Sequence, residues 1–234
     1  MRTLLDRIHD LRRRLFGRYE LDDPRPIARE APYTFHLPPE DELRALAVGD
    51  HAKLMFRGDP PGREWAVERM WVQIVEIGPD HLLGVLDNVP NDMPQLKLGA
   101  TVRFARHHVI DIEWADPARA PARAPERQVW DRCMVDQHVV DGDAPVGYLY
   151  REEPDLAEDG DRFPDSGWRI RADESGLAKG EVEARGPTYV AIGVVLNQDD
   201  SWIHLLDEPI GSAFLRDPDT GLFVREERRQ EDEA

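Results

Sequence analysis

The chain has 234 residues, of which 41% are hydrophobic and 33% are charged, a balance that fits a soluble globular protein with one large or two ordinary domains. No apolar run approaches the roughly 20 residues that cross a bilayer. The N-terminus lacks the apolar core and cleavage site of a secretory signal, so none is expected. The formal net charge of −17 repels nucleic acid and anionic membranes and favours basic partners, although solubility alone also explains acidity.

The single cysteine, Cys133, excludes an internal disulfide framework and indicates a reducing compartment. We therefore predict a cytoplasmic protein. Cys133 acts as a nucleophile only if a histidine such as His138 or His204 approaches it and lowers its pKa. A lone cysteine in a β-rich run is far more often a buried apolar residue.

Residues 1–32 indicate a basic amphipathic helix followed by an extended connector rich in proline and charge. Four apolar residues, spaced by threes and fours, share one face of this helix: Leu4, Ile8, Leu11 and Leu15. A basic amphipathic helix can lie on a membrane or on nucleic acid. Docking of the leucine stripe onto the body of the protein is the favoured interpretation, with the arginines facing the acidic surface.

Residues 33–115 predict a first α+β domain. Prolines and acidic residues at 38–42 open a short helix, and a glycine turn at 78–80 separates two β-rich runs as a hairpin. A further strand is expected at 109–114. His107 and His108 are adjacent, so in a strand they would point to opposite faces and form a poor metal pair.

Four phrases in this region resemble, in their order, a bacterial family of unknown function numbered twenty-three fourteen. They read ERMWV at 68–72, GVLDN at 84–88, LKLG at 96–99 and VID at 109–111. The resemblance implies a small α+β domain and implies no activity.

Residues 116–127 read DPARAPARAPER, which favours a solvated, semi-extended linker. Beyond it, residues 128–225 predict a second α+β domain, and residues 226–234 form a charged tail that we expect to be disordered. Strands are expected at 129–138, 146–150 and 168–171. The run at 189–196 has both helical and strand character, and Ile192, Val195 and Leu196 are expected in the core.

The phrases CMV at 133–135, PVGYLYRE at 145–152, DSGWR at 165–169 and LLDEPIGSAF at 205–214 resemble the immunity-protein domain family numbered thirty-three. That resemblance implies a protein of a polymorphic toxin system, which binds and blocks a cognate toxin. The sequence departs from the family at 171–187, where the family more often has an acidic, tyrosine-containing stretch.

Standard catalytic signatures are absent from the sequence, so we predict no catalytic residue and no cofactor. The acidic residues between the second-domain strands could supply oxygen ligands to a metal ion: Asp155, Glu158, Asp159, Asp161 and Asp165. Their spacing does not match a calcium-binding loop. A solvated acidic loop is the favoured interpretation, and no metal site is predicted.

The candidate binding site consists of aromatic, arginine and turn-forming residues on and after one strand. Its members are Tyr148, Tyr150, Arg151, Asp165, Ser166, Trp168 and Arg169. Tyrosine, tryptophan and arginine often anchor protein interfaces. A structural role is somewhat favoured: the tyrosines share one strand face, Trp168 fills the core, and Arg151 pairs with Asp165 to hold the loop.

We therefore predict an α+β protein with two small, mainly antiparallel sheet domains and a few helices, joined by the Pro/Ala/Arg linker. The predicted function is a non-enzymatic cytoplasmic binding protein of the immunity type, which neutralises a partner protein such as a basic toxin through an acidic surface. One alternative is a small-molecule-binding module or small hydrolase-like enzyme with a cleft near Arg151 and Asp165. Another is a scaffold component whose N-terminal helix docks on a partner. No nucleic-acid partner and no membrane span are predicted.

Overall fold

The computed structural model describes residues 4–123, 127–156, 160, 162–178 and 180–226. The chain divides into two compact units, the first within Met1–Glu30 and Phe35–Pro125 and the second within Ala31–Thr34 and Glu126–Ala234. Each unit contains one six-stranded, mainly antiparallel sheet with short helices. The predicted α+β class is confirmed. Among the described residues, no helix has the length and apolar character that crossing a membrane requires.

The first unit is an antiparallel sheet whose helices lie before and after its first strand. Its helices are α1 (Leu4–Phe16), α2 (Arg25–Glu30) and α3 (Glu40–Ala45). Its strands are β1 (Arg18–Leu21), β2 (His51–Asp59), β3 (Val67–Ile77), β4 (Leu82–Leu86), β5 (Thr101–Phe104) and β6 (Asp111–Glu113). The strands pair in the order β1-β2-β3-β4-β5, and β6 pairs with the start of β2. The long β2–β3 pair therefore forms the centre of the sheet.

Alternating apolar residues give this sheet its core. Leu54 and Phe56 in β2 and Val72 and Ile74 in β3 are fully buried, as the period of two along a strand requires. At Gly84 in β4 a Cβ atom would stand 2.3 Å from Val72 Cγ1. Glycine therefore allows β4 to approach β3 closely.

The expectation that the leucine stripe of α1 docks onto the body of the protein is wrong for the leucines that can be described. Leu11 is 56% exposed and Leu15 is 64% exposed, whereas Arg13 is buried. The side chains of Leu4 and Ile8 lie outside the described part of the chain. A buried arginine, rather than an apolar contact, holds this end of α1 against the unit.

His107 and His108 do not lie in a strand. They belong to a 3-10 turn, Arg106–His108, and their rings are 4.1 Å apart between centroids. The Ala105 N–H donates to His108 Nδ1 at 3.0 Å. Burial, together with the neighbouring His107, holds the pKa of His108 below its usual value. This pair of rings is a local turn feature of the first unit.

The Pro/Ala/Arg segment is not fully solvated, because its first part packs on the first unit. Residues Pro117–Arg119 form a 3-10 turn. The guanidinium of Arg119 donates to the carboxylate of buried Asp50 at 3.2 Å and to the Ala45 carbonyl at 2.8 Å. Arg123 lies 3.7 Å from Glu42. An arginine that reaches a buried carboxylate ties this segment to the sheet.

The second unit is a mixed sheet with helices between its strands. Its strands are β7 (Arg132–Asp136), β8 (Val146–Arg151), β9 (Asp165–Ala172), β10 (Pro187–Ala191), β11 (Ala213–Arg216) and β12 (Phe223–Arg225). Its helices are α4 (Gln137–Val140), α5 (Glu181–Arg185) and α6 (Ile192–Leu196). The strand order is β10-β7-β9-β8-β11-β12, and β7 and β9 form the single parallel pair of this order. The ambiguous run at 189–196 is a strand that passes directly into a helix.

One face of this sheet carries the core of the second unit. Trp168 is fully buried and meets Trp202 edge-on, with ring centroids 5.8 Å apart. Residues from β7, β8, β9, α4 and α6 complete the same cluster, including Val135, Val139, Leu149, Ile170, Ile192, Val195 and Leu196. The expected burial of Ile192, Val195 and Leu196 is confirmed.

A short segment before the first sheet belongs to the second unit. Tyr33 was expected to open the first domain, but its hydroxyl donates to Asp200 at 2.8 Å and its N–H donates to Asn197 Oδ1 at 2.9 Å. Asn197 Nδ2 donates in turn to Thr34 Oγ1 at 2.7 Å. These hydrogen bonds explain why Ala31–Thr34 groups with the second unit.

Candidate functional site

The second unit has a sheet face that points away from its core, here called the outer face. Strand register sets its members, because residues that alternate with the buried ones share the opposite side. Two cross-strand rows run across it. The first aligns Met134, Arg169 and Tyr150, and the second aligns Arg171, Tyr148, Leu215 and Val224. The outer face therefore combines aromatic, aliphatic and arginine side chains.

Aromatic and aliphatic groups on the outer face reach solvent. Tyr148 and Tyr150 are partly exposed and lie side by side, with ring centroids 5.8 Å apart. Leu215 and Val224 are exposed. Arg171, also exposed, donates to Asp136 Oδ1 at 3.0 Å. Side chains of this kind, with large area and a directional polar group, are those that anchor protein interfaces.

Arg169 gathers three carboxylates at the edge of this face. It is buried, and its guanidinium donates to both oxygens of Asp165 at 3.0 and 2.9 Å. It also donates to Asp155 at 2.8 Å and to Glu152. One positive charge therefore meets three negative charges. Asp155 and Glu152 remain substantially exposed, so the cluster presents excess negative charge beside Tyr150.

Asp165, the first residue of β9, holds the preceding loop in place through its carboxylate. Its carboxylate accepts hydrogen bonds from the N–H groups of Gly167, Asp155 and Leu156. Burial alone would raise the pKa of Asp165, but hydrogen bonds from Arg169 and from the Gly167 N–H outweigh it and hold the pKa below its usual value. The carboxylate is ionised at neutral pH and binds both ends of the loop.

Gly167 allows the chain to make this turn. Its φ is +79°, and a Cβ atom there would stand 2.1 Å from the Glu152 carbonyl oxygen. The Glu152 N–H donates to the Gly167 carbonyl at 3.0 Å. Glycine is the residue that accepts this left-handed conformation without strain. The two ends of the acidic loop are thereby joined by backbone as well as by side chain.

The predicted pairing of Arg151 with Asp165 is wrong, since Arg169 takes that carboxylate. Arg151 lies on the core side of β8, where its guanidinium donates to the carbonyls of Ser166 at 3.0 Å and Glu208 at 2.8 Å. It also lies over the Trp168 ring at 5.7 Å. Adjacent residues of a strand point to opposite faces, so Arg151 and Tyr150 are separated.

The seven predicted site residues thus fall into two groups. Tyr148, Tyr150 and Arg169 share the outer face, and Asp165 binds Arg169 there. Trp168 and Arg151 belong to the core side, and Ser166 donates to the Arg132 carbonyl at 2.7 Å. The structural roles expected of Trp168 and of the tyrosine pair therefore agree with the geometry.

A depression near Arg151 is lined by Arg127, Ser166, Trp168 and Asp207. Asp165 does not line it, because its carboxylate is turned towards Arg169. Arg127 closes one side of the depression, where its guanidinium makes a bidentate ion pair with the Asp207 carboxylate at 2.7 and 2.8 Å. The predicted cleft between Arg151 and Asp165 is therefore not formed as one site.

Cys133 does not have the environment of a nucleophile. Its thiol is fully buried, and burial, with a contribution from Asp165, raises the pKa of Cys133 to about 12. Such a thiol stays protonated at neutral pH. Within the described part of the chain, no group of three or more His, Cys, Asp or Glu residues is placed to hold a metal ion. Three acidic positions of the loop lie outside it: Glu158, Asp159 and Asp161.

Charge is distributed unevenly along the chain. Residues 126–234 contain 27 Asp and Glu against 12 Lys and Arg, a balance of −15. Residues 1–125 contain 20 acidic against 18 basic residues, a balance of −2. The second unit therefore accounts for most of the chain's net negative charge.

Sequence reasoning missed several residues of the outer face: Met134, Arg171, Leu215 and Val224. Alternation within each strand is visible in the sequence and would have placed Arg171 on the side of Arg169. Leu215 and Val224 join Tyr148 only through the strand order β8-β11-β12, which periodicity does not give.

Two family models match the chain, one within each of its two units. Residues 133–227 match the family model described as Immunity protein Imm33 domain, and residues 40–119 match the model described as Uncharacterized protein conserved in bacteria (DUF2314). No curated protein and no solved structure matches the chain. The second unit is therefore similar to the Imm33 immunity-protein domain and the first to DUF2314, which confirms both resemblances and their order along the chain.

Proposed function

We propose that the chain is a non-enzymatic, immunity-type protein of the cytoplasm that neutralises a basic partner protein, and that the outer face of the second unit is its contact surface. The proposal depends chiefly on one observation: a sheet face with partly exposed tyrosines and exposed aliphatic residues lies within the unit that is similar to an immunity domain. A toxin of net positive charge is the partner that this unit's balance of −15 would attract.

The composition of the outer face supports a protein ligand rather than a small molecule. The two tyrosines supply contact area with few rotatable bonds, and Leu215 and Val224 extend that area across two further strands. The carboxylates around Arg169 place excess negative charge at one end of it. A partner lysine or arginine near Glu152 and Asp155 would complete the pairing of these charges.

A capture experiment tests this proposal. The tagged chain is incubated with lysate of its own cells at moderate salt, beside the variant Tyr148→Ser/Tyr150→Ser and the control Trp65→Ser, which removes an exposed aromatic side chain from the first unit. We expect one stoichiometric protein that the wild type and the control retain and the double variant loses.

The captured protein is then expressed alone and together with the chain. The proposal predicts that it arrests growth alone and that co-expression restores growth. A protein without effect on growth, or one that is lost equally from the Trp65 control, would contradict the proposal. Circular dichroism of each variant confirms that the fold is intact before binding is compared.

A further inference from the structure

Helix α1 exposes an apolar ridge that the proposed function does not use. The α1 ridge consists of Leu11, Leu15 and Phe16, which are 56%, 64% and 77% exposed. Leu11 and Leu15 are one turn apart and share one side of the helix. Large apolar residues seldom cluster at the surface without a partner.

The ridge is held outward by a polar anchor on the other side of the helix. Arg13 is buried and donates to Asp92 Oδ1 at 3.0 Å and to the Asp92 carbonyl. Asp10 of the same helix accepts a hydrogen bond from the Arg63 guanidinium at 3.0 Å. Because the ion pairs fasten the polar side of α1 to the unit, the apolar side faces solvent in the folded chain.

The loop after β4 extends this apolar surface. Val89 and Leu98 are both exposed and line one depression together with Leu11. Lys97 and Arg14 line the same depression and are exposed. Two separate segments therefore present large apolar side chains with two cations beside them. The two aspartates that line the same depression, Asp10 and Asp92, are paired with Arg63 and Arg13.

The charge around the ridge is positive. Arg12 and Arg14, both exposed, flank the leucines on either side of the helix. The aspartate nearest the ridge, Asp10, already lies 3.8 Å from Arg13 and 3.0 Å from Arg63. The first unit has a balance of only −2, so it does not surround the ridge with the acidic field that the whole chain's charge would imply.

We propose that the α1 ridge binds an anionic lipid surface and holds the protein at a membrane without crossing it. Apolar side chains that enter the headgroup boundary while flanking cations meet anionic lipids are the pattern of interfacial helices. A second copy of the chain fits less well. Two ridges packed about a two-fold axis would bring Arg12 and Arg14 of both copies together, and like charges oppose that contact.

Vesicle co-sedimentation of the full chain tests this inference. Vesicles of equal parts phosphatidylglycerol and phosphatidylcholine are compared with vesicles of phosphatidylcholine alone. We expect binding to the anionic vesicles, release by added salt, and little binding to the neutral ones. The variant Leu11→Ser/Leu15→Ser should lower partitioning about tenfold or more per leucine, and Arg12→Gln/Arg14→Gln about fivefold per arginine.

The control Ile210→Ser/Leu222→Ser removes two exposed apolar residues from the second unit and should bind as the wild type does. Light scattering of the same proteins measures their mass in solution. Wild-type protein that stays in the supernatant with anionic vesicles would overturn the inference. A mass of two or more copies that falls to one copy in the Leu11→Ser/Leu15→Ser variant, without vesicle binding, would overturn it in favour of self-association.

Discussion

At the scale of single residues, the loop before β9 is held by one glycine and one ion pair. Gly167 supplies a left-handed backbone and leaves room for the Glu152 carbonyl, while Asp165 and Arg169 join the loop to the strand. Both features place the carboxylates beside the outer face. Substitution of Gly167 or Asp165 should therefore lower the stability of the fold, and not only the binding of a ligand.

Substitution of Gly167 tests the backbone feature. Gly167→Ala should lower the free energy of unfolding by at least about 2 kcal/mol, because the new Cβ meets the Glu152 carbonyl and the backbone is left-handed. Gly211→Ala is the matched control, since φ there is +91° but no atom lies within 4 Å of the added Cβ. Urea unfolding measures both variants. Equal losses in the two would contradict the steric explanation.

The Asp165–Arg169 pair predicts how stability depends on pH. The pKa of Asp165 is lowered in the folded chain, so its contribution is complete above the unfolded value of about 4 and is lost as pH falls through the folded value. Wild-type stability should therefore begin to decline as pH falls towards the unfolded value of about 4, and the decline should continue below it. Asp165→Asn should lower stability at neutral pH by about 3 kcal/mol and should flatten this decline.

The control for this experiment is Glu153→Gln, at an exposed position of the same loop. It should retain both the neutral-pH stability and the acid slope of the wild type. An Asp165→Asn variant as sensitive to acid as the wild type would show that other carboxylates govern the decline.

At the scale of elements, strand alternation was readable from the sequence, but the partners of each strand were not. The common side of Tyr148 and Tyr150 and the burial of Trp168 follow from a period of two. The partner of Asp165 was missed because the predicted strand began at Trp168, whereas β9 begins at Asp165 and so carries Asp165 and Arg169 four residues apart on one face.

The direction of α1 illustrates a similar limit. Heptad-like spacing shows that Leu11 and Leu15 share a stripe, but not whether the stripe faces the body or solvent. That choice depends on Asp92, about eighty positions away along the chain, which binds Arg13. A helix anchored by a buried arginine and a second ion pair is an unusual outcome for an apolar pattern, and it depends on tertiary contacts.

The anchor of α1 can be removed without touching its exposed side. Arg13→Met should loosen α1, because Asp92 loses its buried partner and neither Leu11 nor Leu15 is buried against the unit. Limited proteolysis should then cleave within residues 4–16 much faster, while the unfolding midpoint of the remaining sheet changes little. Arg12→Met, at an exposed position, is the control. Equal protection of both variants would contradict the anchoring role of Arg13.

At the scale of the whole molecule, two units of different charge are joined in one chain. The net charge of −17 concentrates in residues 126–234, and there the outer face offers its tyrosines, Leu215 and Val224. The near-neutral first unit instead offers the basic, apolar ridge of α1. Composition averaged over the chain conceals this difference, and for that reason the repulsion of anionic membranes expected from the net charge does not apply to the first unit.

This charge distribution predicts a salt dependence for the proposed partner complex. Association with a basic protein should slow as ionic strength rises, because screening weakens the attraction at distances beyond about 10 Å. Dissociation should change less, since the tyrosine contacts are short-ranged. Surface plasmon resonance with the captured partner measures both rates. An association rate independent of salt would contradict electrostatic attraction by the second unit.

If the outer face binds the partner, substitution of its tyrosines must weaken the affinity of the purified pair. Titration calorimetry compares the wild type, Tyr148→Ser/Tyr150→Ser and the Trp65→Ser control against the captured protein. Two anchor residues of about 2 kcal/mol each predict affinity weaker by at least about a hundredfold in the double variant and unchanged affinity in the control. A folded double variant that binds within about twofold of the wild type would contradict binding through the outer face, since that difference is far below the effect of one anchor residue.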